Sequence, residues 1–101
     1  MDLKESTIDE ILAVTKDITY FVDHRHFMTE EIVDYRFNTY RKGVILIIQT
    51  LEDGTWDLFL GHEVKESSYE TLLHFSYYEE SDFPALLKKI EKRLDEFKVH
   101  F

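Results

Sequence analysis

The pattern with the most chemical content in this chain is a series of carboxylates interleaved with aromatic rings. It runs as Glu52, Asp53, Trp56 and Asp57, then Glu63, Glu66, Tyr69 and Glu70, then Tyr77, Tyr78, Glu79 and Glu80. Carboxylates spread over a rigid surface can stand in for phosphates and present a basic cleft with the field it binds. Tyrosine adds broad, rigid contact area. From Val44 to Glu80 eight acids face one base, Lys65, which leaves that segment at −7. From Ser81 onward four acids meet five bases, so the excess is concentrated in the middle of the chain. Over the whole sequence 12 Lys and Arg oppose 21 Asp and Glu, a formal net charge of −9. Such a balance opposes direct binding to nucleic acid or to an anionic membrane. The chemistry expected is binding of a basic protein, a nuclease or DNA-binding protein. The contact set is Glu52, Asp53, Asp57, Glu63, Glu66, Tyr69, Glu70, Tyr78, Glu79 and Glu80.

Other chemistries are poorly supplied. His24-Arg25-His26 sets two imidazoles on one face of a strand, about 7 Å apart along it. With Glu30 the string H-x-H-x-x-x-E resembles a fragment of the metal-binding motif of the cupin family. The rest of that motif is missing: Ile18 stands where the family has a glycine, and the only proline, Pro84, lies far from any second motif. The pair is read as solvated or structural, with no metal and no cofactor expected. His62, His74 and His100 have no ligand spacing. Without cysteine there is no disulfide framework, thiol nucleophile or Cys-type zinc site. No Gly-x-Ser-x-Gly elbow occurs, and three glycines do not make a phosphate-cradling loop. The adjacent acids Glu30-Glu31, Glu52-Asp53 and Glu79-Glu80 would point to opposite faces of a strand or into solvent, so they form no acid/base pair. A non-enzymatic role is expected.

The elements that must position these residues read as follows. With 101 residues, 44% hydrophobic and 15% aromatic, the chain suits one α+β domain spanning 1–101. Thr7-x-x-Glu10 has capping-box form and opens a helix from Ser6 to Lys16, with Ile8, Ile11, Leu12 and Thr15 on one side. Ile18 to Phe27 is rich in β-branched and aromatic residues and reads as a strand, followed by a turn at Met28 to Glu31. Val33, Tyr35, Phe37 and Thr39 then alternate as the inward face of a half-buried strand. After a turn at Gly43, the apolar run Val44 to Leu51 reads as a central strand covered on both faces. Glu52-Asp53-Gly54 is a hairpin signal, and Thr55 to Leu60 returns with Trp56, Leu58 and Leu60 inward. Gly61 to Ser68 reads as a polar loop, and Tyr69 to Tyr77 as a fifth strand. Ser81 or Asp82 then caps a helix whose stripe is Phe83, Leu86, Leu87, Ile90, Leu94 and Phe97. The expected plan is a mainly antiparallel sheet of five strands, with both helices on one face.

The size, net acidity, lack of cysteine and helix–sheet–helix plan resemble two groups of small inhibitors. One is the phage-encoded inhibitors of host defence, including anti-CRISPR proteins and other DNA mimics. The other is the bacterial immunity proteins that neutralise nuclease toxins. The resemblance implies inhibition by occupation of a nucleic-acid site, and it transfers no individual residue. A structural subunit stays open as a third role, with Phe59, Leu72 and Phe101 in a homo-oligomer interface. The longest apolar run, Val44 to Ile48, is five residues, and the acidic stretch from Met1 through Glu10 lacks signal-peptide character, so a cytoplasmic location is expected.

Overall fold

The computed structural model describes residues 3–27, 30–51, 54–66 and 68–97, leaving aside the side chains of His26, Phe27, Glu30 and Tyr77. Helix α1 (Glu5–Thr15) is followed by β1 (Tyr20–Phe27), β2 (Glu30–Asn38), β3 (Val44–Thr50), β4 (Trp56–Lys65) and β5 (Ser68–Tyr78). A 3-10 turn at Glu80–Asp82 leads into α2 (Phe83–Glu96). The strands form an antiparallel meander in the order β1-β2-β3-β4-β5. This is an α+β fold.

Register explains the core. Tyr35 of β2, Ile48 of β3 and Leu58 of β4 lie side by side, as do Phe37, Leu46 and Leu60, so the alternating apolar residues of three strands share one face. All of them are buried, together with Val33, Val44 and Trp56. The helices close over that face with Ile11 from α1 and Phe83, Leu86, Leu87, Ile90 and Leu94 from α2. Each such side chain removed from water contributes about 1.5–3 kcal/mol. Trp56 sits at the junction, its ring 6.0 Å from Tyr35 and 6.2 Å from Phe83.

Several local expectations change. β3 is central, yet its burial alternates along Val44–Thr50, because both helices lie on the same side and leave Ile45, Ile47 and Gln49 half-buried on the other. The polar loop expected over Gly61 to Ser68 is instead paired strand: β4 runs on to Lys65 and β5 begins at Ser68. Gly61 is no breaker here. A Cβ on it would lie 2.4 Å from Cε1 of Phe59, whose ring occupies the space the glycine leaves. β1 begins two residues later than expected, with Ile18 exposed outside it. Glu30 and Glu31, read as part of a turn, belong to β2, while Met28 and Thr29 lie outside the described residues. Gly54 keeps the positive φ (85°) that its hairpin position requires.

The capping box read at Thr7 and Glu10 does not form, Asp82 does stand at the N-cap of α2, and the helix ends draw on distant residues as well. Thr7 lies inside α1, and its hydroxyl donates to Oε1 of Glu80 at 2.7 Å. The same oxygen accepts the N–H of Lys4 at 2.9 Å, so the turn before α2 serves the N-terminus of α1. Asp82 accepts the N–H of Glu79 at 3.0 Å in a reciprocal capping arrangement. At the other end of α2, Arg41 donates from Nε to the carbonyl of Leu94 at 2.8 Å and from its terminal nitrogen to that of Asp95 at 3.2 Å. Those two carbonyls belong to the last turn, where a cation is favoured.

Beside Arg41, the Tyr40 hydroxyl donates to Oδ1 of Asp95. That hydrogen bond, aided by desolvation and the carboxylate charge, raises the phenol above its ordinary value of 10.0. Folding therefore favours the protonated phenol. This contribution is fully present below the unfolded pKa and is lost as pH climbs through the raised folded value. In thermal melts from about pH 8 to about pH 11, the native chain is expected to lose stability more steeply above about pH 10 than Tyr40→Phe. Parallel curves would remove the latch.

Candidate functional site

The β4–β5 ladder decides where the acids fall. Trp56 pairs with Tyr78 at one end and Lys65 with Ser68 at the other. The ten residues of β4 span about 30 Å. Asp57, Tyr78, Glu79 and Glu80 therefore gather at one end of this ribbon, and Glu63, Glu66, Tyr69 and Glu70 at the other. Glu52 and Asp53 lie outside the described residues. The described acids form two groups rather than one continuous row.

The two groups differ in what their oxygens already do. Oδ1 of Asp57 accepts the Ser76 hydroxyl at 2.7 Å and faces Nε2 of His74 at 2.9 Å. Glu80 holds the start of α1, and Glu79 and Asp82 cap each other's backbone. At the far end, Glu63, Glu66 and Glu70 are exposed, and no hydrogen bond or ion pair engages their carboxylates among the described residues. Glu63 lies across from Tyr69, and Glu70 across from His62 on the opposite face. Two apolar side chains accompany them, Val64 at 55% exposure and Tyr69 at 39%. The tip of the β4–β5 hairpin thus carries acids on both faces and at its turn, with apolar surface between them.

The sheet face turned away from the helices holds two polar clusters that the sequence reading missed. Asp57, His74 and Ser76 have the composition of a catalytic triad but not its order. A relay needs the imidazole between hydroxyl and carboxylate, using its two nitrogens in turn. Here Ser76 donates directly to Asp57, and the same Nε2 of His74 lies 2.9 Å from the carboxylate and 3.3 Å from the hydroxyl. The triangle fixes three side chains and points the serine O–H at the carboxylate rather than at the imidazole. Its only sequence trace is the i, i+2 spacing of His74 and Ser76 on one strand; Asp57 arrives through strand pairing.

The second cluster surrounds Asp34, 2% exposed although it faces away from the helices. Its oxygens meet Arg25 at 2.6 Å and the Gln49 amide at 2.8 Å. Asp34 pairs across the ladder with Gln49, and Arg25 reaches it diagonally from β1. His24, half of the candidate histidine pair, has Nδ1 3.0 Å from Glu31. Among the described residues no three His, Asp or Glu side chains converge as metal ligands would. No helix among them is long and apolar enough to cross a membrane. On the outer side of the helices a groove of about 290 Å³ is lined by Ala13, Val14, Pro84 and Leu87, with Glu10, Lys88 and Glu91 around it.

Removing Arg25 leaves a buried carboxylate with one neutral donor. Because Arg25 is itself half exposed, Arg25→Ala is expected to cost about 1–2 kcal/mol in urea unfolding. Adding Asp34→Asn to that variant should recover a large part of the loss, and strictly additive effects would show that the two side chains are not coupled. No protein-family model matches the chain, and no significant match was found among curated proteins or solved structures.

Proposed function

We propose that this protein is a non-enzymatic inhibitor that occupies the basic site of a nucleic-acid-handling protein, with the tip of the β4–β5 hairpin as its leading contact. The observation that carries this reading is the free acid group Glu63, Glu66 and Glu70 beside exposed Val64 and Tyr69. Carboxylates without intramolecular donors keep their charge available to a partner, and the adjacent apolar surface supplies area to desolvate. A net charge of −9 steers the whole molecule toward a basic cleft. Asp57, Tyr78, Glu79 and Glu80 form a second contact region about 20 Å or more along the same ribbon. Three of their carboxylates are already tied into the fold, so they contribute less mobile charge. Anti-defence proteins of phages and immunity proteins share this physics, and the identity of the bound protein separates them.

The test compares three tagged proteins in pull-downs from lysates of nuclease-bearing bacteria, washed at low and high salt. These are the native chain, the triple variant Glu63→Lys, Glu66→Lys, Glu70→Lys, and the charge-matched control Asp9→Lys, Glu10→Lys, Glu91→Lys. The native chain and the control should retain a basic nuclease or DNA-binding protein at low salt. The hairpin variant should lose it, with association slowed about tenfold or more. Equal loss in both variants would reduce the effect to net charge, and retention by the hairpin variant would exclude the tip.

A further inference from the structure

β1 is an edge strand, with a neighbour on one side only among the described residues. The N–H of Asn38 donates to the carbonyl of Thr19, the residue before β1. Antiparallel alternation then turns the backbone N–H and C=O groups of Tyr20, Val22, His24 and His26 outward, away from β2. Such edges are ordinarily blunted by a bulge, a proline or a lysine. The opposite edge, β5, is broken by three register irregularities against β4. β1 has no bulge, proline or lysine: its eight pairs with β2 run in unbroken register, and the two charges in its sequence YFVDHRHF are of opposite sign. Among the described residues it also gathers exposed apolar surface, with Phe21 at 55%, Val22 at 39%, Tyr20 at 38% and neighbouring Ile18 at 90%.

Charge identifies the occupant. Within β1 one acid, Asp23, stands beside one base, Arg25, so the strand by itself carries no net charge in a chain of −9, while the Arg25 guanidinium also answers Asp34 of β2. A basic partner finds no run of acids along this strand, and a second copy can set its own Arg25 against Asp23. Antiparallel pairing of β1 with itself about a two-fold axis keeps every residue on its own sheet face, so the axis passes through one residue and its copy. An axis at Asp23 sets two carboxylates together, and one at Val22 sets Phe21 against Asp23. An axis at His24 places Asp23 of each copy opposite Arg25 of the other, giving two opposite-charge cross-strand pairs.

The geometry points to an isologous homodimer built by β1–β1 pairing centred on His24, which joins the two sheets into one with all helices on the same side. This assembly is independent of the acidic hairpin and answers oppositely to salt. Screening weakens the hold on a basic partner, but it relieves repulsion between two chains of −9.

Sedimentation of the native chain from about 5 to about 500 µM, at low and high salt, should show a reversible monomer–dimer equilibrium that added salt does not weaken. Asp23→Arg sets cations against Arg25 across the axis and removes the cross-strand opposition to Asp34 within the chain. It should keep the fold, checked by its melting curve, and raise the dimer dissociation constant about tenfold or more. His24→Cys introduces the only thiol into a cysteine-free protein and should oxidise readily to a covalent dimer. Tyr20→Cys, remote from the axis, should not. A chain that stays monomeric throughout, alone or while binding a foreign strand, overturns the proposal. So does a dimer indifferent to Asp23→Arg, or equal cross-linking at positions 20 and 24.

Discussion

Two helices are narrower than five strands, and the arrangement of this molecule follows from that mismatch. Strands lie about 4.8 Å apart, so five of them make a surface about 24 Å wide. Two helices packed side by side at about 10 Å cover about 20 Å. Here α1 packs against β2 and α2 against β5, with the helices touching each other between. Leu46, Ile48, Leu58 and Leu60 fall under the pair and are sealed. β1 falls outside it, and its Tyr20 ring reaches the buried layer by stacking 5.3 Å from Phe37.

One-sided cover also gives the opposite face its character. With no second helical layer, its half-buried apolar residues must be shielded by their own neighbours, as Phe59 shields Gly61. Polar residues among them are acceptable only when paired, since an isolated buried carboxylate carries a large desolvation cost. Asp34 is answered by Arg25 and Gln49, and Asp57 by His74 and Ser76. Among the described residues no buried side-chain nitrogen or oxygen lacks a hydrogen-bond partner. This face is stitched across strands rather than packed against a layer.

The same economy divides the acids. Near the helices, charged side chains are used to hold helix ends: the Glu80 carboxylate secures the start of α1, while Arg41, supplied by the β2–β3 turn, closes the end of α2. Beyond the helices, at the far end of the β4–β5 ribbon, there is no backbone left to hold, and Glu63, Glu66 and Glu70 stay in solvent. Structural duty and available charge are thus separated along a single hairpin.

Much of the fold was legible in the chain because it is written in short-range periodicity. The period-two face Val33, Tyr35, Phe37 and the helical stripe Phe83, Leu86, Leu87, Ile90, Leu94 are local patterns, and each is buried as they require. The candidate site was legible only as composition. Acids adjacent in the sequence list, such as Asp57 and Glu63, are separated by the extended geometry of β4, while Asp57, His74 and Ser76 are joined by its pairing with β5. Gly61 looked like an interruption because a missing side chain is indistinguishable in sequence from a turn; the Phe59 ring that fills its place shows why pairing continues. Sequence determined the order of the elements, the apolar faces of β2 and α2 and the net charge, since these depend on residue type and spacing alone. Strand register, the choice of which face the helices cover and the identity of the free acids were decided by tertiary structure. Each depends on contacts between residues tens of positions apart, which no local pattern encodes.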